Sequence, residues 1–125
     1  MSTYKSIVYK GDQLGRTIGF PTLNLDASVL PSDFQLGIYA CSVKIEDKQY
    51  KGALYFGPRL VVGETKNVLE IHVLDFDKEI YGQEVEFEIG KYIRTISNFS
   101  SMEEMKIQLE KDKEAVLAQL NLFSK

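Results

Sequence analysis

The chain is 125 residues long, with 15 Lys and Arg against 18 Asp and Glu, a formal net charge of −3, and 44% apolar residues. That is the length of one domain spanning residues 1–125, with enough apolar content to bury a core without staples. The weakly acidic balance argues against a dedicated nucleic-acid binder, which would carry a basic face. A single cysteine, Cys41, excludes an internal disulfide and makes a reducing, cytoplasmic compartment the expectation. It lies in an apolar strand pattern, where a free thiol behaves as a small hydrophobe rather than a nucleophile. No apolar run approaches membrane-spanning length, and Met1 to Lys10 lacks the apolar stretch of a secretory signal. The expected partners are therefore small molecules, with no nucleic acid and no membrane, and the expected state is a monomer.

Ser6 to Tyr9 reads as a first short strand, with β-branched and aromatic residues together. Lys10 to Gly19 is a glycine-bearing loop, in which Gly15 and Gly19 allow backbone to approach a ligand closely. Pro21 suits the first residue of a strand or an edge, since it donates no ladder hydrogen bond. Thr22 to Leu25 is the next extended piece, and Asp26 to Leu36 is a loop. Gly37 to Ile45 is a strand whose better buried face carries Tyr39, Cys41, Val43 and Ile45. Glu46 to Lys48 turns the chain, and Gln49 to Phe56 returns as the hairpin partner. Gly57 to Lys66, with Pro58 and Gly63, reads as a connection.

Asn67 to Phe76 alternates most cleanly: Leu69, Ile71 and Val73 face one way, Glu70, His72 and Leu74 the other. Glu84 to Ile89 is another strand, with Val85, Phe87 and Ile89 inward and a solvated trio of Glu84, Glu86 and Glu88 outward. Lys91 to Asn98 carries no decisive pattern. From Ser100 to Leu120 there is no Gly or Pro, and Ser101 with Glu104 forms a capping box. Met105, Leu109, Val116 and Leu120 fall on one helical stripe. Six short strands followed by one helix, without βα alternation, exclude a doubly wound nucleotide fold. They predict a mainly β protein: a six-stranded antiparallel β-barrel with one C-terminal α-helix packed across it.

Thr22 and Asn24 are two residues apart, so on a strand their side chains leave the same face. A hydroxyl and a carboxamide side by side supply neutral, hard oxygens of the kind magnesium and phosphate sites use. Ordinary turn and strand-start chemistry accounts for the same residues. Gly11 to Thr17 is not a Walker A loop: three residues separate Gly11 from Gly15 where four are needed, and Arg16 stands where Lys belongs. Glu70 is either a solvent-facing strand carboxylate or a base directed at a hydroxyl group. His72 is the only histidine, so with one Cys it forms no zinc set, and a structural role suits it better than catalysis. Arg59 and Arg94 are each able to contact phosphate.

The run Gly15-Arg16-Thr17-Ile18-Gly19-Phe20-Pro21-Thr22-Leu23-Asn24-Leu25 resembles the G-R-x-x-G-F-P-T-x-N signature of the riboflavin kinases (flavokinases), including the kinase module of bacterial bifunctional FAD synthetases. Leu69-Glu70-Ile71-His72-Val73-Leu74-Asp75-Phe76, Ile80-Tyr81-Gly82, Tyr92-Ile93-Arg94 and the Phe99 to Met105 stretch before the helix are similar to that family in the same order. The resemblance implies a six-stranded barrel that transfers the ATP γ-phosphate to the 5′-hydroxyl of riboflavin, giving FMN and ADP. It implies that Thr22 and Asn24 hold Mg2+ and the nucleotide phosphates, and that Glu70 takes the hydroxyl proton. Gly11, Gly15, Arg16, Gly19 and Pro21 would belong to the nucleotide flap and its exit, and Tyr81 and Arg94 to the substrate side. With no nucleotidyltransferase domain ahead of it, the chain would stop at FMN. It departs from the family's pattern at Gly11-Asp12-Gln13-Leu14-Gly15, which lacks a Gly and an Arg, at Leu23, at Tyr55, at Pro58-Arg59-Leu60-Val61 and at Arg94-Thr95-Ile96. Those departures set the alternative, a barrel that binds flavin or nucleotide without turnover.

Overall fold

Period-two alternation makes the wall of this fold, and the face that each strand buries follows from it. The computed structural model describes residues 3–10, 22–58, 66–96 and 101–119. Its strands are β1 (Thr3–Ile7), β2 (Leu23–Leu25), β3 (Gly37–Ile45), β4 (Lys48–Pro58), β5 (Asn67–Val73) and β6 (Glu84–Arg94), and its helix is α1 (Met102–Leu117). A 3-10 turn at Ala27–Val29 follows β2. The strands hydrogen-bond in the order β1-β6-β3-β4-β5-β2, and every pair is antiparallel. The sheet curls into a half-barrel. Its two end strands meet at one isolated bridge, where the Tyr9 N–H donates to the Asn24 carbonyl at 2.8 Å. Beside that seam the Asp26 N–H donates to the hydroxyl of buried Ser6 at 2.9 Å.

The interior is filled by inward-facing residues of all six strands, among them Leu25, Val43, Leu54, Ile71 and Phe87. Gly52 in β4 permits the close approach of β5: a Cβ there would lie 2.6 Å from the Ile71 side chain and 3.1 Å from the His72 carbonyl. Helix α1 lies on the outer face of the sheet and encloses a second apolar cluster of Ala40, Leu74 and Val116, flanked by Ala53 and Ile93. That cover explains a departure from the alternation expected for β3. Ala40 is as deeply buried as Cys41, because the middle of β3 has barrel on one side and apolar cover on the other.

The elements follow the expected order, with some differences in extent. β1 starts at Thr3 rather than Ser6, because Thr3 to Lys5 pair with Glu88 to Glu86. β6 continues through the undecided stretch as far as Arg94, bending at two register shifts against β3. The helix begins where the capping box places it, with the Ser101 hydroxyl accepting the Glu104 N–H at 3.1 Å. On its expected stripe Val116 is buried and Met105 and Leu109 are half-buried, while Leu120 lies outside the described residues. No helix among the described residues is long and apolar enough to cross a membrane. The acidic trio is less solvated than expected. Glu84 is exposed, whereas Glu86 and Glu88 are half-buried, and Glu86 sits in register between Lys5 and Lys44.

Ile45 pairs with Lys48, leaving Glu46 and Asp47 as a two-residue turn with φ of 50° and 69°. Positive φ at both positions is the type I′ geometry that matches strand twist and favours Asn-Gly. Side chains bearing a Cβ are disfavoured there by roughly 1–2 kcal/mol. The variant Asp47→Gly is therefore expected to raise stability by up to about 1 kcal/mol, read as a higher urea midpoint. An unchanged or lower midpoint would contradict the assigned turn.

Candidate active site

β5 runs between β2 and β4, so its outward-facing residues are bracketed by those of two neighbouring strands. Leu69 and Ile71 are buried in the barrel, which turns Glu70 to the outer face. Asn24 stands directly opposite it on β2, and Tyr55 directly opposite on β4. Opposed residues of an antiparallel pair have Cβ atoms about 5 Å apart. Just before β2 the Thr22 hydroxyl donates to Glu70 Oε1 at 2.8 Å, joining residues 48 positions apart in the chain. Thr22, Asn24, Glu70 and Tyr55 are all half-buried. The Tyr55 hydroxyl in turn donates to the Pro58 carbonyl at the end of its own strand.

Three of the residues singled out in the sequence are thus brought together from two distant segments. Asn24 is also the residue on which the seam closes, since its carbonyl accepts the Tyr9 N–H. The donor set fits magnesium, a hard cation that takes oxygen ligands, keeps several waters and relies on one or two carboxylates plus substrate phosphates. Thr22 and Asn24 carry the neutral oxygens, and Glu70 is the adjacent carboxylate. Among the described residues no group of three His, Cys, Asp or Glu could hold a metal, so a cation here would lean on phosphate oxygens.

The other expected site residues are placed differently. Arg94 lies on the same cross-sheet row, opposite Ile38, which itself pairs with Tyr55. Its guanidinium, however, turns to the helix. Nε and Nη2 donate to the two carboxylate oxygens of Asp112, each at 2.8 Å, and Nη1 donates to the Thr95 carbonyl at 2.9 Å. Gln108 Nε2 adds a bond to Asp112 Oδ1 at 3.1 Å. Asp112 is only 2% exposed, so this bidentate pair is a buried strut between β6 and α1. Tyr81 is exposed in the turn between β5 and β6, beside Gly82, whose N–H donates to the Val8 carbonyl at 2.8 Å. Gly11, Gly15, Arg16, Gly19 and Pro21, like Arg59, lie outside the described residues.

His72 shares the outer face with Glu70 but is half-buried beneath the helix. Burial chiefly holds its imidazole below the ordinary value of 6.5; Lys113 acts in the same direction, and Glu110 and Asp112 act against it. Cys41 is fully buried, and desolvation pushes its thiol far up, in keeping with an inert core residue. The sequence reading missed Tyr55 and Asp112 as partners of the expected residues. Asp112 was detectable as a charge on the helical stripe, between Leu109 and Val116. The place of Tyr55 beside Glu70 depends on register alone.

The chain is similar to known proteins both in sequence and in fold. A family model described as "Flavokinase: Riboflavin kinase" matches residues 2–120. The chain is similar to a bifunctional riboflavin kinase/FMN adenylyltransferase of Haemophilus influenzae, at 37% identity over 91% of this chain and 37% of that protein. It is also similar to an RNA-binding riboflavin kinase of Bacillus subtilis, at 33% identity over 98% of this chain and 53% of that protein. Its fold matches the crystal structure of riboflavin kinase from Trypanosoma brucei with a TM-score of 0.64 and 22% identity, covering 95% of this chain and 79% of that one. The chain spans between about a sixth and about half of the length of the curated relatives it matches.

Two measurements follow from the outer-face contacts. Removing one partner of a buried ion pair leaves an uncompensated charge, so Asp112→Ala is expected to lose about 3 kcal/mol in urea unfolding, whereas Arg94→Met with Asp112→Leu recovers most of that loss. Equal losses in both variants would refute a strut held by charge pairing. For His72 the folded chain favours the neutral ring, so the unfolded chain takes up the proton first as pH falls through 6.5. Its contribution is intact above that pH and lost below it. The urea midpoint is expected to fall between pH 7 and pH 5, and His72→Gln to reduce that slope; an identical slope in the variant would exclude the histidine as its source.

Proposed function

The chain belongs to the riboflavin kinase family, and from that premise we propose that it transfers the ATP γ-phosphate to the 5′-hydroxyl of riboflavin, with Glu70 as the general base. The observation that carries this reading is the Thr22 hydroxyl donating to Glu70 Oε1 at 2.8 Å, with Asn24 directly across the ladder. A carboxylate held in one place by a neighbouring donor is suited to orient an alcohol and take its proton. In the transfer the riboflavin oxygen forms a bond to the γ-phosphorus, the bond from that phosphorus to the bridging oxygen breaks, ADP departs, and the alcohol proton passes to Glu70. Such transfers depend mainly on positioning and charge neutralisation, with little covalent work for the protein.

Thr22 and Asn24 would hold magnesium through their side-chain oxygens, and the ion supplies neutralisation of charge on the transferring phosphoryl group. The chain's own groups keep the base and these oxygens in register. Gly11, Gly15, Arg16, Gly19 and Pro21 are assigned to the nucleotide flap and its exit on sequence alone, and Tyr81 to the substrate side. The guanidinium of Arg94 supports this site through its bond to the helix, so we assign it to positioning rather than direct substrate contact. We assign the protein to the cytoplasm as a monomer, with riboflavin, FMN, ATP and ADP as its partners. The Bacillus relative is named for RNA binding; the net charge of −3 supports no such role here.

Incubation with riboflavin and ATP, with and without magnesium, followed by chromatographic separation of the flavins, tests the reading. The wild type is expected to form FMN only when the metal is present, and Glu70→Gln to lower kcat by roughly 10²–10⁴-fold with a circular dichroism spectrum like that of the wild type. Riboflavin binding without FMN formation would leave a binding barrel in place of the kinase. FMN formation at wild-type rate by Glu70→Gln would remove Glu70 as the base.

A further inference from the structure

Resting on the kinase reading, we propose that Tyr55 is a specificity-determining residue: its phenol ring is the wall over which the acceptor alcohol reaches Glu70. The ladder divides the surroundings of Glu70 into two flanks. On the β2 flank stand Thr22 and Asn24, and the Thr22 hydroxyl already occupies Oε1 at 2.8 Å. On the β4 flank the directly opposed residue is Tyr55. The three side chains share the outer face, because their neighbours Leu23, Leu25, Leu54, Phe56, Leu69 and Ile71 are buried in the barrel.

In-line transfer requires the attacking oxygen and the leaving oxygen to lie on opposite sides of the phosphorus. Phosphates gathered by the neutral oxygens of the β2 flank leave the β4 flank for the attacking alcohol. There the structure offers a half-buried aromatic ring whose hydroxyl donates to the Pro58 carbonyl. An aromatic face beside a carboxylate suits a ligand with an apolar body and a hydroxylated chain, such as a polyol attached to a planar ring system. Tyr55 is also held in place. Its hydroxyl donates to the Pro58 carbonyl, which lays the phenol along the strand. At Gly57 a Cβ would lie 3.7 Å from that hydroxyl and 3.2 Å from Ile96, so the glycine lets the residues just after β6 close on this part of β4.

A wall that binds ground state and transition state alike affects KM for the substrate it touches and leaves kcat largely unchanged. Steady-state kinetics with riboflavin and ATP varied separately read that split. Tyr55→Ala is expected to raise KM for riboflavin by about tenfold, the effect of removing one well-packed contact, with KM for ATP changed less than twofold. Tyr55→Phe keeps the ring and is expected to restore KM for riboflavin to within about threefold of wild type. Tyr55→Leu covers the case in which the alanine variant does not fold, and is expected to shift the same constant in the same direction. KM values that rise together for both substrates, or that do not move, overturn the assignment while FMN formation by the wild type upholds the kinase reading. A wild type that forms no FMN overturns the kinase reading and this assignment with it.

Discussion

The pairing of β2 with β5 is the interaction on which the rest depends. β2 has only three residues, and a strand that short has little stability of its own. It is held by its ladder to β5, by the Tyr9 bridge on its other side and by the buried Ser6 hydroxyl just beyond it. One short segment thereby closes the seam of the half-barrel and sets Thr22 and Asn24 against Glu70. The site is not a loop feature laid over a finished scaffold. Its two halves come together when β2 pairs with β5, and the Tyr9 bridge to Asn24 then closes the seam on that same strand.

The helix imposes a second constraint, of a different kind. Its apolar contact with the sheet is small, centred on Val116 over Ala40 and Leu74. A contact of that size sets position weakly, because apolar attraction is not directional. The Arg94–Asp112 pair is directional. A planar guanidinium meeting both oxygens of a carboxylate allows one orientation, and Gln108 and the Thr95 carbonyl take up further hydrogen-bonding capacity of the two groups. The pair fixes where the helix crosses the end of β6, and with it the height of the outer face above Ala53 and His72. Arg94 is therefore tied into the helix contact, although it shares a cross-sheet row with Glu70.

Much of this was legible in the chain. The alternation in Asn67 to Phe76 identified a strand with Glu70 on the outside, and the Ser101–Glu104 spacing located the start of the helix within a residue. The spacing of Thr22 and Asn24 placed both on one face, and a matching signature assigned them a purpose. What could not be read was register. Which residue of β4 faces Glu70 is decided by the Glu46–Asp47 turn and the hydrophobic pattern acting together across two strands, and no local stretch encodes it. The course of Arg94 was hidden for a similar reason. Its partner lies 18 positions away on another element, and a lone arginine looks the same in sequence whether it meets a phosphate or a carboxylate.

The outer position of Glu70 has a consequence for how this protein could change over time. On β5 the residues that fill the barrel and the residues of the candidate site alternate one by one: Leu69, Ile71 and Val73 inward, Glu70 and His72 outward. β2 repeats the arrangement, with Leu23 and Leu25 around Asn24. Active sites cut into a core set stability against activity, because the groups that do chemistry displace groups that pack. Here the two tasks occupy opposite faces of the same strands. Substitutions that strengthen the interior need not touch the groups proposed to handle substrate, and outward-facing positions such as Tyr55 can vary while the packed wall behind them stays intact.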